Sequence, residues 1–121
     1  MIGDAQTRAL NIALLERAAS LIEEKGWWFK GITDGRGKLC IVDALRKAVN
    51  LGVQERSFTT TADRDAFIER KPQALALFLI IHLGLHPYPS PTTSLIEWND
   101  APDRTLQEVL DALRNTAKEM P

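Results

Sequence analysis

Cys40 is the only cysteine of the chain. With His82 or His86 and an aspartate it would make a nucleophile, a base and an orienting group, the set that covalent catalysis needs. Its neighbours are Leu39 and Ile41, at the start of an expected helix. A helix N-terminus lowers a thiol's pKa, whereas apolar company makes a lone cysteine a small core residue. The second expectation is the stronger, so a small cysteine-dependent enzyme using Cys40 is the alternative reading and not the preferred one. His82 and His86 share a helix face only if a helix runs through Gly84, and no spacing recruits Asp43 or Asp100 to them. No metal site and no cofactor are expected.

Two other sets of side chains are suited to binding. Lys25, Lys30, Arg36, Lys38, Arg46 and Lys47 outnumber Asp34 and Asp43 in the same region, close to Trp27, Trp28 and Phe29. Cations interleaved with aromatics suit an anionic or stacked ligand. Asn99, Asp100, Asp103 and Arg104 form the second set, between Trp98 and a capped helix. Asx side chains fold back on backbone in such turns and an arginine bridges carboxylates, so a structural corner is preferred there over a site. The candidate binding residues are Trp28, Arg36, Lys38, Asn99, Asp100 and Arg104. For Arg104 an internal carboxylate partner is expected, Asp100 or Glu97 being nearest in sequence. The glycine-rich run Lys30 to Lys38 matches neither phosphate-loop spacing, and no clear strand precedes it, so it does not read as a phosphate site.

The totals bound these readings. At 121 residues, 45% hydrophobic and 26% charged, the chain has the length and composition of one ordinary globular domain, taken as residues 1–121. A formal charge of −1 gives no global pull on nucleic acid or anionic lipid. With one cysteine there is no intramolecular disulfide, and a reducing cytoplasm is the natural location. Asp4, Arg8, Glu16 and Arg17 interrupt the N-terminal apolar positions, so no signal peptide is read there. The longest apolar run, Ala74 to Leu85, is about a dozen residues, short of the roughly twenty a membrane span needs.

The elements that position these residues are helices. Asp4 or Thr7 would cap a first helix whose stripe is Leu10, Leu14, Ala18, Leu21 and Ile22, widened by Ile12, Leu15 and Ala19 and stopped by Gly26. Of Trp27, Trp28 and Phe29, two should enter the core and one should stay near the surface. Asp34-Gly35 is a hairpin signal that could pair Trp28–Ile32 with Gly37–Ile41. A second helix is expected from about Cys40 to Asn50, ended by Gly52, with a connection from Leu51 to Thr61. Thr60 or Thr61 then caps a helix that breaks near Lys71, because Pro72 disfavours helix before it. Gln73 to Leu83, apolar nearly all round, should be central with Leu77 to Ile81 in the middle, as a helix or a buried strand, and Gly84 stops it. His86 to Pro91 reads as a polyproline-like link. Ser94 with Glu97 and Thr105 with Glu108 each fit a capping box, and Leu106, Val109, Leu110, Leu113 and Ala117 line one face of the last helix.

Three blocks of residues carry a resemblance. Gly26-Trp27, then Gly35 to Cys40 with Ala44-Leu45, and finally Trp98-Asn-Asp-Ala-Pro-Asp-Arg-Thr with Glu108-Val109 and Leu113, are similar to an uncharacterised family of small actinobacterial, proteobacterial and phage proteins of unknown function. The resemblance implies a compact, mainly helical protein and no transferable activity. The fold expected is mainly α, four or five helices with at most one short β-hairpin around Asp34-Gly35. The function expected is non-catalytic binding of a protein or small ligand, with an association with phage or mobile elements. Nucleic acid and membrane are not the expected partners.

Overall fold

The computed structural model describes residues 2–30 and 36–120, with side chains of the first helix described from residue 5 onward. Five helices follow one another among the described residues: α1 (Ile2–Lys25), α2 (Ile41–Gln54), α3 (Thr61–Leu83), α4 (Pro91–Asn99) and α5 (Leu106–Lys118). No strand is present among these residues, and the architecture is mainly α. Helix α1 packs against α2 and α5, α2 against α3 and α4, and α3 also against α4 and α5. Leu15 and Ile22 of α1, Ile41 and Leu45 of α2, Leu75, Leu79 and Ile80 of α3, Leu95 of α4 and Leu113 of α5 close one shared core.

The stripe of α1 is buried as its spacing requires, but the helix is already running at Ile2, ahead of both Asp4 and Thr7. Docking on α5 holds these early turns: Arg8 Nε donates to the carbonyl of Met120 at 3.1 Å. Gly26 ends α1 with φ +96°, a left-handed conformation that costs glycine little. After it, Trp28 N–H donates to Leu39 O and Leu39 N–H donates to Gly26 O, both at 2.9 Å. This is a single parallel bridge between Trp27 and Leu39, and the described residues of Trp28–Ile32 and Gly37–Ile41 form no antiparallel pairing. The Asp34-Gly35 turn itself lies outside the described residues. Trp27 and Trp28 are half-buried and Phe29 is exposed, the two-in, one-out division expected of three consecutive aromatics.

Helix α2 does not stop at Gly52 but continues to Gln54. Gly52 is buried, and a Cβ there would stand 3.3 Å from Leu14 Cδ2, so the glycine serves the close approach of α1 and α2. Its helix-weakening cost of about 1 kcal/mol is outweighed by the packing it allows.

Helix α3 corrects a second boundary. It runs through Pro72 without a break, from its Thr60 cap to Gly84, which takes φ +70° and returns N–H bonds to the last turn. Proline removes one ladder bond, a cost of about 3 kcal/mol in an isolated helix. Here Pro72 is itself buried beside Leu75, Ala76, Leu79 and Ile80, and that burial offsets the loss. The segment 77–83 is therefore helix, not strand. It is not apolar-buried all round: Leu79 and Ile80 are in the core, but Leu77 is 43% and Ile81 67% exposed.

Helix α4 starts one turn earlier than a Ser94–Glu97 capping box would place it. Ser90 is the cap, accepting from Thr93 N–H at 3.1 Å, and Pro91 fills the first turn, where its missing N–H costs nothing. Ser94 is buried inside the helix and donates to the carbonyls of His86 (2.5 Å) and Tyr88 (3.1 Å), fastening the preceding link to α4. The Thr105–Glu108 box is present in both directions, and Val109, Leu110, Leu113 and Ala117 are buried behind it, while Leu106 stays exposed.

Candidate functional site

Asn99, at the end of α4, is wholly buried. Its Oδ1 accepts from Trp27 Nε1 at 2.8 Å and from the backbone N–H of Ile41 at 3.1 Å. Its Nδ2 donates to Trp28 O at 2.9 Å and to Asp100 Oδ1 at 3.0 Å. An amide side chain has two acceptor positions and two donor hydrogens, so all its capacity is used. Ile41 is the first residue of α2, whose N–H has no partner within its own helix. One side chain thus joins the end of α4, the segment after α1 and the start of α2. The Gly26-Trp27, Cys40 and Trp98-Asn99 blocks, far apart in sequence, meet at this junction.

Of the sequence-derived candidates, Asn99 and the Asp100 carboxylate are brought together here, and Trp28 takes part through its backbone carbonyl. Arg104 adjoins the junction through Trp98, which is half-buried. The guanidinium lies 4.0 Å from the Trp98 ring centroid, Nε donates to Trp98 O at 2.8 Å, and Nη1 pairs with Glu108 at 2.8 Å. The carboxylate partner is internal, but it is Glu108, one turn on, and not Asp100 or Glu97. The Thr105 N–H and then Arg104 hold the Glu108 carboxyl below its ordinary range. Arg36 and Lys38 are exposed, the stem of Lys38 lying against Gly26.

Cys40 is the N-cap of α2, its Sγ accepting from Asp43 N–H at 3.3 Å, and it is fully buried. Burial pushes its thiol up, and the N–H bonds that oppose this do not reverse it. His82 pairs with Glu119 at 2.8 Å and His86 packs on the Tyr88 ring, so neither imidazole is engaged as a base for Cys40. Native protein is expected to leave a colorimetric disulfide reagent unreacted near neutral pH until denaturant is added. Prompt stoichiometric modification of the folded chain would restore the nucleophile. Among the described residues no group of three or more His, Cys, Asp and Glu gathers as a metal site.

A concave, chemically distinctive surface lies elsewhere, where the chain leaves α2 and enters α3. Phe58, Phe67, Arg70 and Lys71, with Asp63, line a concavity of about 380 Å³. Phe58 and Phe67 pack with ring centroids 5.4 Å apart. Arg56 lies over both rings, at 5.9 and 5.1 Å from their centroids, and Lys71 Nζ is 5.8 Å from that of Phe67. Thr60 starts α3 here, accepting from Asp63 N–H at 3.0 Å, and Arg70 and Lys71 follow Phe67 by three and four residues, the spacing that puts them on its face. Lys71 Nζ donates to Oδ1 of the buried Asn11 at 3.0 Å. Burial, and then the nearby charge of Arg56, hold the Lys71 ammonium below its ordinary pKa. Among the described residues no carboxylate pairs with Arg56, Arg70 or Lys71. The residues from Leu51 to Thr61 read in sequence as a mere connection. The signal for this pocket was Arg56-x-Phe58 followed by Phe67-x-x-Arg70-Lys71, which becomes a site only when the chain folds back.

These features define a small five-helix protein, tied at a buried asparagine junction, that carries a cationic aromatic pocket and no assembled catalytic set among the described residues. The chain belongs to a family of unknown function, DUF6197, whose model matches residues 6–119. No curated protein and no solved structure matches it. No helix among the described residues is long and apolar enough to cross a membrane.

Proposed function

We propose that this is a non-catalytic binding protein that receives an anionic group of its partner in the pocket lined by Phe58, Asp63, Phe67, Arg70 and Lys71, with Arg56 over its two rings. The observation that carries this reading is that two cations, Arg56 and Lys71, converge on the Phe67 ring with no carboxylate among the described residues paired to either. A ring face stabilises an exposed cation by only about 0.5–1 kcal/mol. A charge-assisted hydrogen bond contributes about 1.5–3 kcal/mol, so the pocket retains a preference for an incoming anion. Such a ligand would also relieve the Arg56–Lys71 repulsion, and the phenyl rings would receive a planar or apolar body beside the charge. The buried, protonated Cys40 supports the non-catalytic reading over the cysteine enzyme.

The single shared core supports one domain over residues 1–121. A lone, buried cysteine is in keeping with a cytoplasmic setting. An association with phage or mobile elements rests on the motif resemblance alone. The pocket reading is tested by fluorescence titration with anilinonaphthalene sulfonate, an aromatic anion. Saturable binding is expected, weakened about tenfold in Arg56→Gln, the change that losing one charge-assisted contact implies. Lys71→Gln should weaken it similarly. Absent binding, or binding unchanged in both variants, overturns the proposal.

A further inference from the structure

The pocket is one end of a longer surface. Phe67, Ala74, Phe78 and Ile81 recur along α3 at intervals of seven, four and three residues, so they lie on one helical face, with Arg70 and Leu77 beside them. This is the face opposite Pro72, Leu75, Ala76, Leu79 and Ile80, which enter the core. From Phe67 to Ile81 it extends about 21 Å at 1.5 Å per residue. Its first end is the cationic aromatic pocket. Its second is an apolar concavity of about 300 Å³ between α3 and α5, floored by Phe78, Ile81 and Met120 and edged by the His82–Glu119 pair. Leu77 and Ile81, 43% and 67% exposed, lie on the same outer side. Phe67 and Phe78 are partly buried against the core, whereas Leu77 and Ile81 stand in water, and exposed apolar side chains continuous with such a strip mark an interaction surface.

We infer that the α3 face is a docking groove for an amphipathic helix of a partner protein, with acidic residues at one end and apolar residues through its following turns. This rests on the reading of the pocket as an anion-accepting site and names the partner's chemistry. The charge distribution favours it. Arg56, Arg70 and Lys71 offer three cations at one end against the single carboxylate of Asp63, and the remaining length is apolar, so the complement is acidic first and apolar after. A second copy docked antiparallel would lay those cations against Leu77 and Ile81, where the nearby carboxylate, Glu119, is already paired with His82 at 2.8 Å. An acidic helix instead matches charge to charge and apolar to apolar along the whole length.

The test is selection from a displayed library of random peptides of about sixteen residues, long enough as a helix to span the face. Enriched sequences are expected to carry a cluster of Asp or Glu followed by apolar residues at three- and four-residue spacing. A synthesised representative should bind Arg70→Glu and Ile81→Glu each at least about tenfold more weakly than the unaltered protein. Both positions are exposed, so circular dichroism should confirm that each variant keeps its fold. Enriched sequences without the acidic end, or binding indifferent to Ile81→Glu, overturn the inference. A concentration-dependent dimer, or sedimentation with phosphatidylserine vesicles, that is lost in Ile81→Glu also overturns it by assigning the face to a second copy or a bilayer. If anilinonaphthalene sulfonate still occupies the pocket in those cases, only the extended groove falls; if it does not, the pocket reading falls as well.

Discussion

Replacing Asn99 with Leu should destabilise the protein by about 3 kcal/mol or more, because it leaves one buried and two partly buried groups unpaired, each costing about 1–3 kcal/mol. Those groups are Trp27 Nε1–H, the Ile41 backbone N–H and the Trp28 carbonyl. Leucine has the same heavy-atom branching as asparagine and is the bulkier of the two, so the loss does not come from a cavity. Against a total stability of about 5–15 kcal/mol for a chain of this kind, such a loss removes at least about a fifth of the total. Asn99→Asp separates the two halves of the junction. It keeps an acceptor for Trp27 and Ile41 but removes the donor to Trp28 O and sets a second carboxylate beside Asp100. It too should destabilise, and acidification that protonates one carboxylate should recover part of the loss. The check is urea denaturation followed by far-ultraviolet circular dichroism. An Asn99→Leu midpoint equal to that of the unaltered protein would show that the junction contributes nothing to folding.

Leu79→Ala and Ile81→Ala, two residues apart on α3, should differ widely. Leu79 is wholly buried between helices, and its truncation should cost about 2–5 kcal/mol through lost burial and the cavity left behind. Ile81 is mostly in water, and its truncation should fall within about 0.5 kcal/mol of no effect. Denaturation midpoints of the two variants decide the orientation of the helix. Equal, large losses would mean that the outer face of α3 is packed against something, and equal, small ones that α3 is not central. The contrast also prepares the binding tests, since a face that can be altered without cost to folding can be probed for partners.

Legibility in the sequence followed the range of the interactions. The Thr105–Glu108 box and the Gly26 and Gly84 stops depend on atoms within a few residues, so residue types sufficed for them and narrowed the α3 cap to Thr60 or Thr61. The same local logic erred at Ser94, because Ser90-Pro91 provides a better start just upstream and the Ser94 hydroxyl is taken by the carbonyls of His86 and Tyr88. It erred again at Gly52 and Pro72, where each residue is a helix breaker by itself and is retained within a helix because its neighbours are buried. The outer side of α3 was misjudged for a related reason: a run apolar on every side carries no moment to say which side meets the core.

By itself the sequence determined a mainly helical protein without a disulfide, the stripes of α1 and α5, and the importance of Trp-Asn-Asp as a corner, because these follow from periodicity, composition and local hydrogen-bonding capacity. Only the tertiary structure decided that Asn99 is the buried knot joining Trp27, Trp28 and Ile41, that Cys40 is a covered cap, that Arg104 pairs with Glu108, and that Phe58, Phe67 and Lys71 line one pocket with Arg56 over its rings. Each of these is a choice among several available partners. In water the alternatives differ by little, and it is the packing of five helices about one core that brings one partner within reach and removes the others.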